Sequence, residues 1–254
     1  MSVTAIIITL NEAAHIEACL ASVAWADERL VVDSGSTDDT VAIATRCGAR
    51  VVAHEWQGYS AQKNYAASLA SHHWIVSVDA DERVTPELAA EMKTALAAPG
   101  EHVGFRVPRI TFHLGQWIRC TDWYPDYQLR LYDRRRATWN GNKVHESVAA
   151  DGPVGQLTHD LQHYAYRDIA HHLDTINRYT TLAALSMHER GRRTGVAELL
   201  LHPPAAFLRN YILRRGITAG TAGLIISTMN SYYVFLKFAK LAAIQNSTTP
   251  MHQR

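Results

Sequence analysis

The chain has 254 residues, 47% of them hydrophobic, enough for one large domain, or a domain with an appendage, around a real core. Its net charge of +1 hides a split: residues 187–254 carry nine Lys/Arg against two acids, and the remainder 16 basic against 22 acidic residues. Three widely spaced cysteines, Cys19, Cys47 and Cys120, exclude a cysteine metal cluster and fit buried thiols in a reducing compartment, while the basic tail points to an anionic partner, membrane or nucleic acid.

Val3 to Leu10 reads as an apolar strand with no basic start, so no signal peptide is expected. Asn11 is placed to cap a helix whose apolar face is Ile16, Leu20 and Val23. Leu30 to Asp33 is a second strand, and Ser36 or Thr37 is expected to cap the helix that closes at Gly48. Arg50 to Ala53 is a third strand. Gly58 and Ser60 lead into a helix through Gln62, Lys63, Asn64 and Leu69. Trp74 to Val78 is a short β-rich run, and Pro86 opens a helix over Glu87 to Ala97. The strand–helix alternation predicts an α/β fold with an open, mostly parallel sheet flanked by helices. Ligands bind at strand carboxyl ends in such sheets, where Thr9 to Glu12, Asp33 to Ser36 and Asp79 to Asp81 all fall.

The acids after Val78 cannot be the continuation of a buried strand, because unpaired buried charge is costly. If the backbone stays extended, Asp79 and Asp81 point the same way and need a cation between them. Hard divalent ions such as Mg²⁺ take oxygen ligands and share their shell with substrate phosphates. A solvated strand end is the plain alternative.

From Val103 the alternation stops. Val103 to Phe112 and Tyr127 to Tyr132 read as strands around the aromatic segment Trp117, Trp123, Tyr124. Trp123 and Tyr124 suit either an acceptor sugar or core packing. His145-Glu146 follow an Asn-Gly turn and suit either a diphosphate or metal site, or a surface polar pair. His159 and His163 would share one face of a helix. Leu157 to Tyr166 reads instead as strand or irregular chain, so no metal role is assigned to them. Asp168 to Glu189 is a long helix whose His171 and His172 are expected at the surface, and Leu199 to Leu213 is expected to break at Pro203-Pro204. Residues 217–236 carry no charge, but Thr218, Thr221, Ser227, Asn230 and Ser231 dilute the run. A helix in or on a membrane interface is expected there, rather than a span. The expected division is residues 1–166 and a basic helical region, residues 167–254.

Three motifs carry a resemblance: Ile8-Thr9-Leu10-Asn11-Glu12, Val32-Asp33-Ser34-Gly35-Ser36-Thr37-Asp38, and Val78-Asp79-Ala80-Asp81. With them the chain resembles the family 2 glycosyltransferases of GT-A fold. Tyr124-Pro125-Asp126-Tyr127-Gln128-Leu129-Arg130-Leu131, Val144-His145-Glu146 and the basic tail narrow this to a likeness to bacterial lipopolysaccharide inner-core β-glucosyltransferases. The resemblance implies inverting transfer of a hexose, glucose being the expected one, from a UDP-sugar to a lipid-linked glycan. It implies Thr9, Glu12 and Asp33 at the base and ribose and Lys63 near the nucleotide; His145 joins them as a candidate at the diphosphate from its own chemistry. Asp79 and Asp81 would hold ribose and a divalent metal, Mg²⁺ or Mn²⁺, and Asp126 would be the catalytic base. Two departures from the family pattern stand out: Asp33 is followed by Ser34 rather than a second acid, and Pro125 rather than Glu precedes Asp126.

The chemistry agrees on its own terms. Displacing a nucleotide diphosphate leaves negative charge that a metal and a basic side chain stabilise, and the acceptor hydroxyl needs a separate carboxylate as base. A sugar-nucleotide pyrophosphorylase would carry a Gly-rich basic loop where Asn11-Glu12-Ala13-Ala14 stands. A nucleic-acid-binding module would interleave basic and aromatic residues; here the basic residues flank apolar helices, which suits anionic lipid. Another envelope polysaccharide or a protein are the alternative acceptors. The resulting expectation is a cytoplasmic enzyme on the inner face of the cytoplasmic membrane.

Overall fold

The computed structural model describes residues 1–140 and 147–248. The chain divides into two compact units, Met1–Ile110 with Asp126–Tyr164, and Thr111–Pro125 with Ala165–Arg254. The second unit therefore takes in Thr111–Pro125, which the sequence reading assigned to the first domain.

The first unit opens with β1 (Val3–Thr9), α1 (Ile16–Ser22), β2 (Glu28–Asp33), α2 (Thr40–Arg46), β3 (Arg50–Ala53), α3 (Tyr59–Leu69) and β4 (Trp74–Asp79). β1 is buried along its whole length, as a strand covered on both faces must be. Its Ala5 and Ile7 pack with α1 and α4 (Pro86–Ala97) through Leu20, Leu88 and Met92, while Ile6 and Ile8 face Ala66 and Ala67 of α3. β3, β2, β1 and β4 are parallel neighbours. The register sets Thr9 opposite Asp33 and Ile8 opposite Asp79, so three polar strand ends lie along one edge.

β5 (Glu82–Val84) follows after the turn Ala80–Asp81, and then come β6 (Gly104–His113), β7 (Gln116–Ile118) and β8 (Asp126–Asp133). β8 enters antiparallel between β4 and β6, so the mixed sheet with flanking helices expected from the GT-A resemblance is present. The β6–β8 register sets Arg109 directly across from Asp126. β9 (Ala137–Trp139) pairs with β10 (Val148–Ala150), β11 (Val154–Gln156) with β6, and β12 (Leu161–His163) with β5.

Two caps differ from expectation. α1 starts at Ile16, and Asn11 sits at φ 55° with its side-chain oxygen accepting from the Thr37 amide. α2 starts at Thr40, and the Ser36 hydroxyl instead braces Asp33. Both side chains bond within loops, Asn11 to Thr37 and Ser36 to Asp33, rather than to the adjacent helix. Gly48, at φ 76°, closes α2 as predicted.

In the second unit α5 (Ile169–Glu189), α6 (Val196–Leu208) and α7 (Gly220–Thr248) pack together. Asp168 caps α5 by accepting from the His171 amide. α6 is not broken at Pro203-Pro204: it packs on α7, whose Ser231 hydroxyl donates to the Pro203 carbonyl, and it gives way only later, to a wider π-type turn at Arg209–Leu213. Lys240 of α7 donates to the Asn177 carbonyl, the Asn177 side-chain oxygen, Thr180 and Thr181 of α5. A Cβ at Gly223 would run into the Gly216 carbonyl, so glycine permits that close turn. His172 is buried rather than exposed, its Nδ1 3.3 Å from His113 Nε2, within the rings of Trp123 and Tyr166. No helix among the described residues is long and apolar enough to cross a membrane.

Candidate active site

The site grows from the carboxyl edge of β1, β2 and β4. Asp33, at the end of β2, is buried and turns back on its own loop: Oδ2 accepts from the Gly35 and Ser36 amides at 2.9 Å, and Oδ1 from the Ser36 hydroxyl. Thr9 ends β1 with its Oγ1 buried and unpartnered among the described residues. Glu12 anchors the following turn, its carbonyl accepting from the His15 and Ile16 amides and its amide donating to Thr40 Oγ1. All three expected nucleotide-binding residues therefore stand at one edge.

Asp79 and Asp81 do not share one extended strand. The chain turns at Ala80–Asp81 instead of staying extended, and the two acids acquire different partners. Asp79 Oδ1 lies 2.9 Å from Lys63 Nζ and Oδ2 lies 2.8 Å from Arg130 Nη2. Burial opposes the charge of Asp79, but Arg130 and Lys63 outweigh it and hold the carboxyl far below the usual carboxylate range. Lys63 is itself buried, with its ammonium 4.3 Å from the Trp139 ring centroid.

Three residues without a role in the sequence reading complete a chain of alternating charge. Glu82 is 0% exposed, and its Oε1 lies 2.6 Å from Arg130 Nη2 and 3.1 Å from Arg109 Nη1, while Oε2 accepts from the Asp79 amide at 3.0 Å. Arg109 then donates from Nε and Nη2 to Asp126 Oδ2, at 2.9 and 2.7 Å. Burial opposes the charge of Arg130 too, yet Asp79 and Glu82 make it harder still to deprotonate. The run Lys63–Asp79–Arg130–Glu82–Arg109–Asp126 thus links the strand-end acid to the expected base. Such buried networks contribute little net stability but fix the positions of their members. Arg130 Nε and Nη1 remain buried without a hydrogen-bond partner among the described residues, so this guanidinium keeps unused donor capacity.

Asp126 is the accessible end of the run. Its side chain is 33% exposed, and Oδ1 accepts from Gln128 Nε2 at 2.7 Å. A carboxylate oriented by Arg109 on one oxygen and Gln128 on the other, yet reachable by solvent, can meet an incoming hydroxyl.

Asp81 faces His163 of β12, with Oδ2 3.3 Å from Nε2. Burial opposes its charge, and the His163 hydrogen bond more than compensates, lowering its pKa. His163 Nδ1 is buried and unpartnered among the described residues. A carboxylate and an imidazole facing each other at the strand ends are competent donors for a divalent cation. No cluster of three or more His, Cys, Asp or Glu suited to a metal occurs among the described residues, so further ligands would come from a bound diphosphate or water. His145, expected at the diphosphate, lies outside the described residues. Glu82 was hidden in the sequence because it reads as one more acid in a charged turn. Arg109 and Arg130 read as ordinary strand residues until pairing sets them opposite their acids.

Residues 4–150 match the family model described as Glycosyl transferase family 2. The lipopolysaccharide core biosynthesis glycosyltransferase LpsC of Rhizobium meliloti is 33% identical over 249 residues, 95% of this chain and 92% of that one. An uncharacterized glycosyltransferase of Rickettsia felis is 30% identical over 94% of this chain and 89% of its own. Among solved structures, glucosyl-3-phosphoglycerate synthase of Mycobacterium tuberculosis, crystallised with Mn²⁺ and UDP-glucose, is 27% identical over 44% of each chain, with a TM-score of 0.37. With the family model spanning more than half of the chain and a relative matching nearly all of it, this protein belongs to glycosyl transferase family 2.

Proposed function

We propose that this chain transfers a hexose, with glucose first among candidates, from a UDP-sugar to a lipid-linked glycan such as the lipopolysaccharide core, with inversion at the anomeric carbon. The observation that carries the reading is a pair of acidic centres with different surroundings: Asp81 with His163 at the strand ends, and accessible Asp126 at the far end of the ion run. Inverting displacement needs that division of labour. The acceptor finds support in the name of the Rhizobium meliloti relative.

In this mechanism Thr9, Glu12 and Asp33 line the nucleoside end of the donor. Asp81 and His163 would hold a divalent ion, and their mixed oxygen–nitrogen donor set favours Mn²⁺ over Mg²⁺. Bound there, such an ion would supply Lewis-acid neutralisation of the leaving diphosphate. Asp79, occupied on both oxygens by Lys63 and Arg130, orients those two cations instead of ligating the metal. Arg130, with its unused donors, adds positive charge beside the diphosphate. Asp126 Oδ1 takes the proton of the acceptor hydroxyl as its oxygen bonds to the anomeric carbon and the bond to the diphosphate oxygen breaks. Arg109 keeps Asp126 oriented for that transfer. Three free thiols fit a reducing, cytoplasmic setting.

The test is UDP release across a panel of UDP-sugars, with lipid-linked core acceptor and either Mn²⁺ or Mg²⁺. Release with UDP-glucose that requires acceptor and metal supports the reading. Release with no UDP-sugar, or release unaffected by a chelator, overturns it.

A further inference from the structure

The orientation of α6 in the second unit is inverted relative to a helix that water surrounds. Its inward positions are Pro203, Ala206 and, continuing into the π-type turn, Asn210. Its outward positions are the large ones. Leu200 is 65% exposed, Leu201 68% and Leu213 77%, with Leu208 and Ile212 between them also exposed. Small or polar residues pack inward, and a row of leucines faces out. Large exposed apolar patches mark interaction sites.

The charge around this row identifies the occupant. From Arg190 to Arg215 the chain carries six arginines and one glutamate, Glu198. Arg209 and Arg214 both reach Asp122, so that acid neutralises one of them, and Arg215, Arg192 and Arg193 stand exposed. A second copy of the same cationic face would be repelled, whereas an anionic bilayer offers both an apolar boundary for the leucines and headgroups for the arginines.

We infer that the outer face of α6 and its π-type extension, Leu200, Leu201, Leu208, Ile212 and Leu213 with the flanking arginines, seats the protein on an anionic lipid surface, the helix lying in the interface plane. This places the lipid contact on α6 rather than on the run 217–236, and the lysines of α7 are committed elsewhere. Lys240 spends its donors on α5, and burial with nearby arginines depresses the Lys237 ammonium. The inference rests on the second unit alone and is independent of the donor reading.

The experiment is flotation of the full chain with vesicles of phosphatidylglycerol and phosphatidylethanolamine, against neutral phosphatidylcholine, without substrate. The parent should float with the anionic vesicles at low salt and progressively less as salt rises. Leu200→Gln/Leu201→Gln/Leu208→Gln should lose binding by tenfold or more, on the order expected for losing several buried side chains, with an unchanged circular dichroism melt because these side chains are solvent-facing. Leu208→Phe, which keeps the face apolar, should float as the parent does. Arg192→Gln/Arg193→Gln/Arg215→Gln should lose the preference for anionic vesicles. A parent that stays at the bottom, or a triple-glutamine variant that floats equally well, overturns the assignment. So does a parent that self-associates in sedimentation velocity without binding vesicles, which would make the face a subunit contact.

Discussion

Glu82→Gln isolates what the buried network does. The carboxylate has no solvent contact and accepts three hydrogen bonds, from Arg130, Arg109 and the Asp79 amide. Glutamine fits the volume but keeps one accepting oxygen. If that oxygen stays with the arginines, the new amide NH₂ confronts the Asp79 N–H, donor against donor. If it flips, two guanidinium groups lose their shared anion. Breaking a buried ion pair by removing one partner costs about 3–5 kcal/mol. For a chain of this size that corresponds to a fall in Tm of roughly 6–20 °C. Urea denaturation read by tryptophan fluorescence measures the loss directly. The cycle with Arg130→Met should be non-additive, because the two side chains share one bond at 2.6 Å. Turnover should fall as well, since Arg109 loses its second anchor and no longer fixes Asp126. A Glu82→Gln protein that melts within about 2 °C of the parent and turns over normally would refute the network as the device that positions the base.

Three further outcomes follow. Asp126→Asn cannot accept a proton, so kcat should drop by about 10²–10⁴-fold with UDP-sugar affinity nearly unchanged by calorimetry; equal kcat would reassign the base. Asp81→Ala and His163→Ala should each abolish the Mn²⁺-dependent part of UDP binding, while Asp79→Asn should spare it and lower stability instead; metal dependence lost only in the Asp79 variant would return the ion to that residue. Burial, with His113 and His171 nearby, pulls His172 down to about 4 from an ordinary 6.5. Its neutral ring therefore stabilises the fold above about pH 6.5, and that contribution is lost as pH falls toward 4. A shift of this size converts to about 3 kcal/mol at full burial and about 2 after solvent screening. The Tm of His172→Gln should vary less with pH between 7 and 4 than the parent's, and equal slopes would exclude the ring as the titrating group.

Much of the first unit is legible from the chain because its signals are local. β3 matches Arg50 to Ala53, α4 begins at Pro86 as proline chemistry dictates, and α5 begins after Asp168. The strand-end acids and the family also stand in the sequence, since a buried strand must shed charge where it emerges. What depended on tertiary structure is every choice of partner. A turn of two residues parted Asp79 from Asp81, and β12 brought His163 to Asp81 across 82 positions. An antiparallel register set Arg109 opposite Asp126. Buried His172 and the helix through two prolines have the same cause: neighbours distant in sequence supplied the His113 and Trp123 rings beside one and the Ser231 hydroxyl that the other bonds. Hydrophobic periodicity can mark α6 as a helix, but which of its faces is outward is set by what packs against it. The leucine row was therefore visible as letters and became a surface only in the fold.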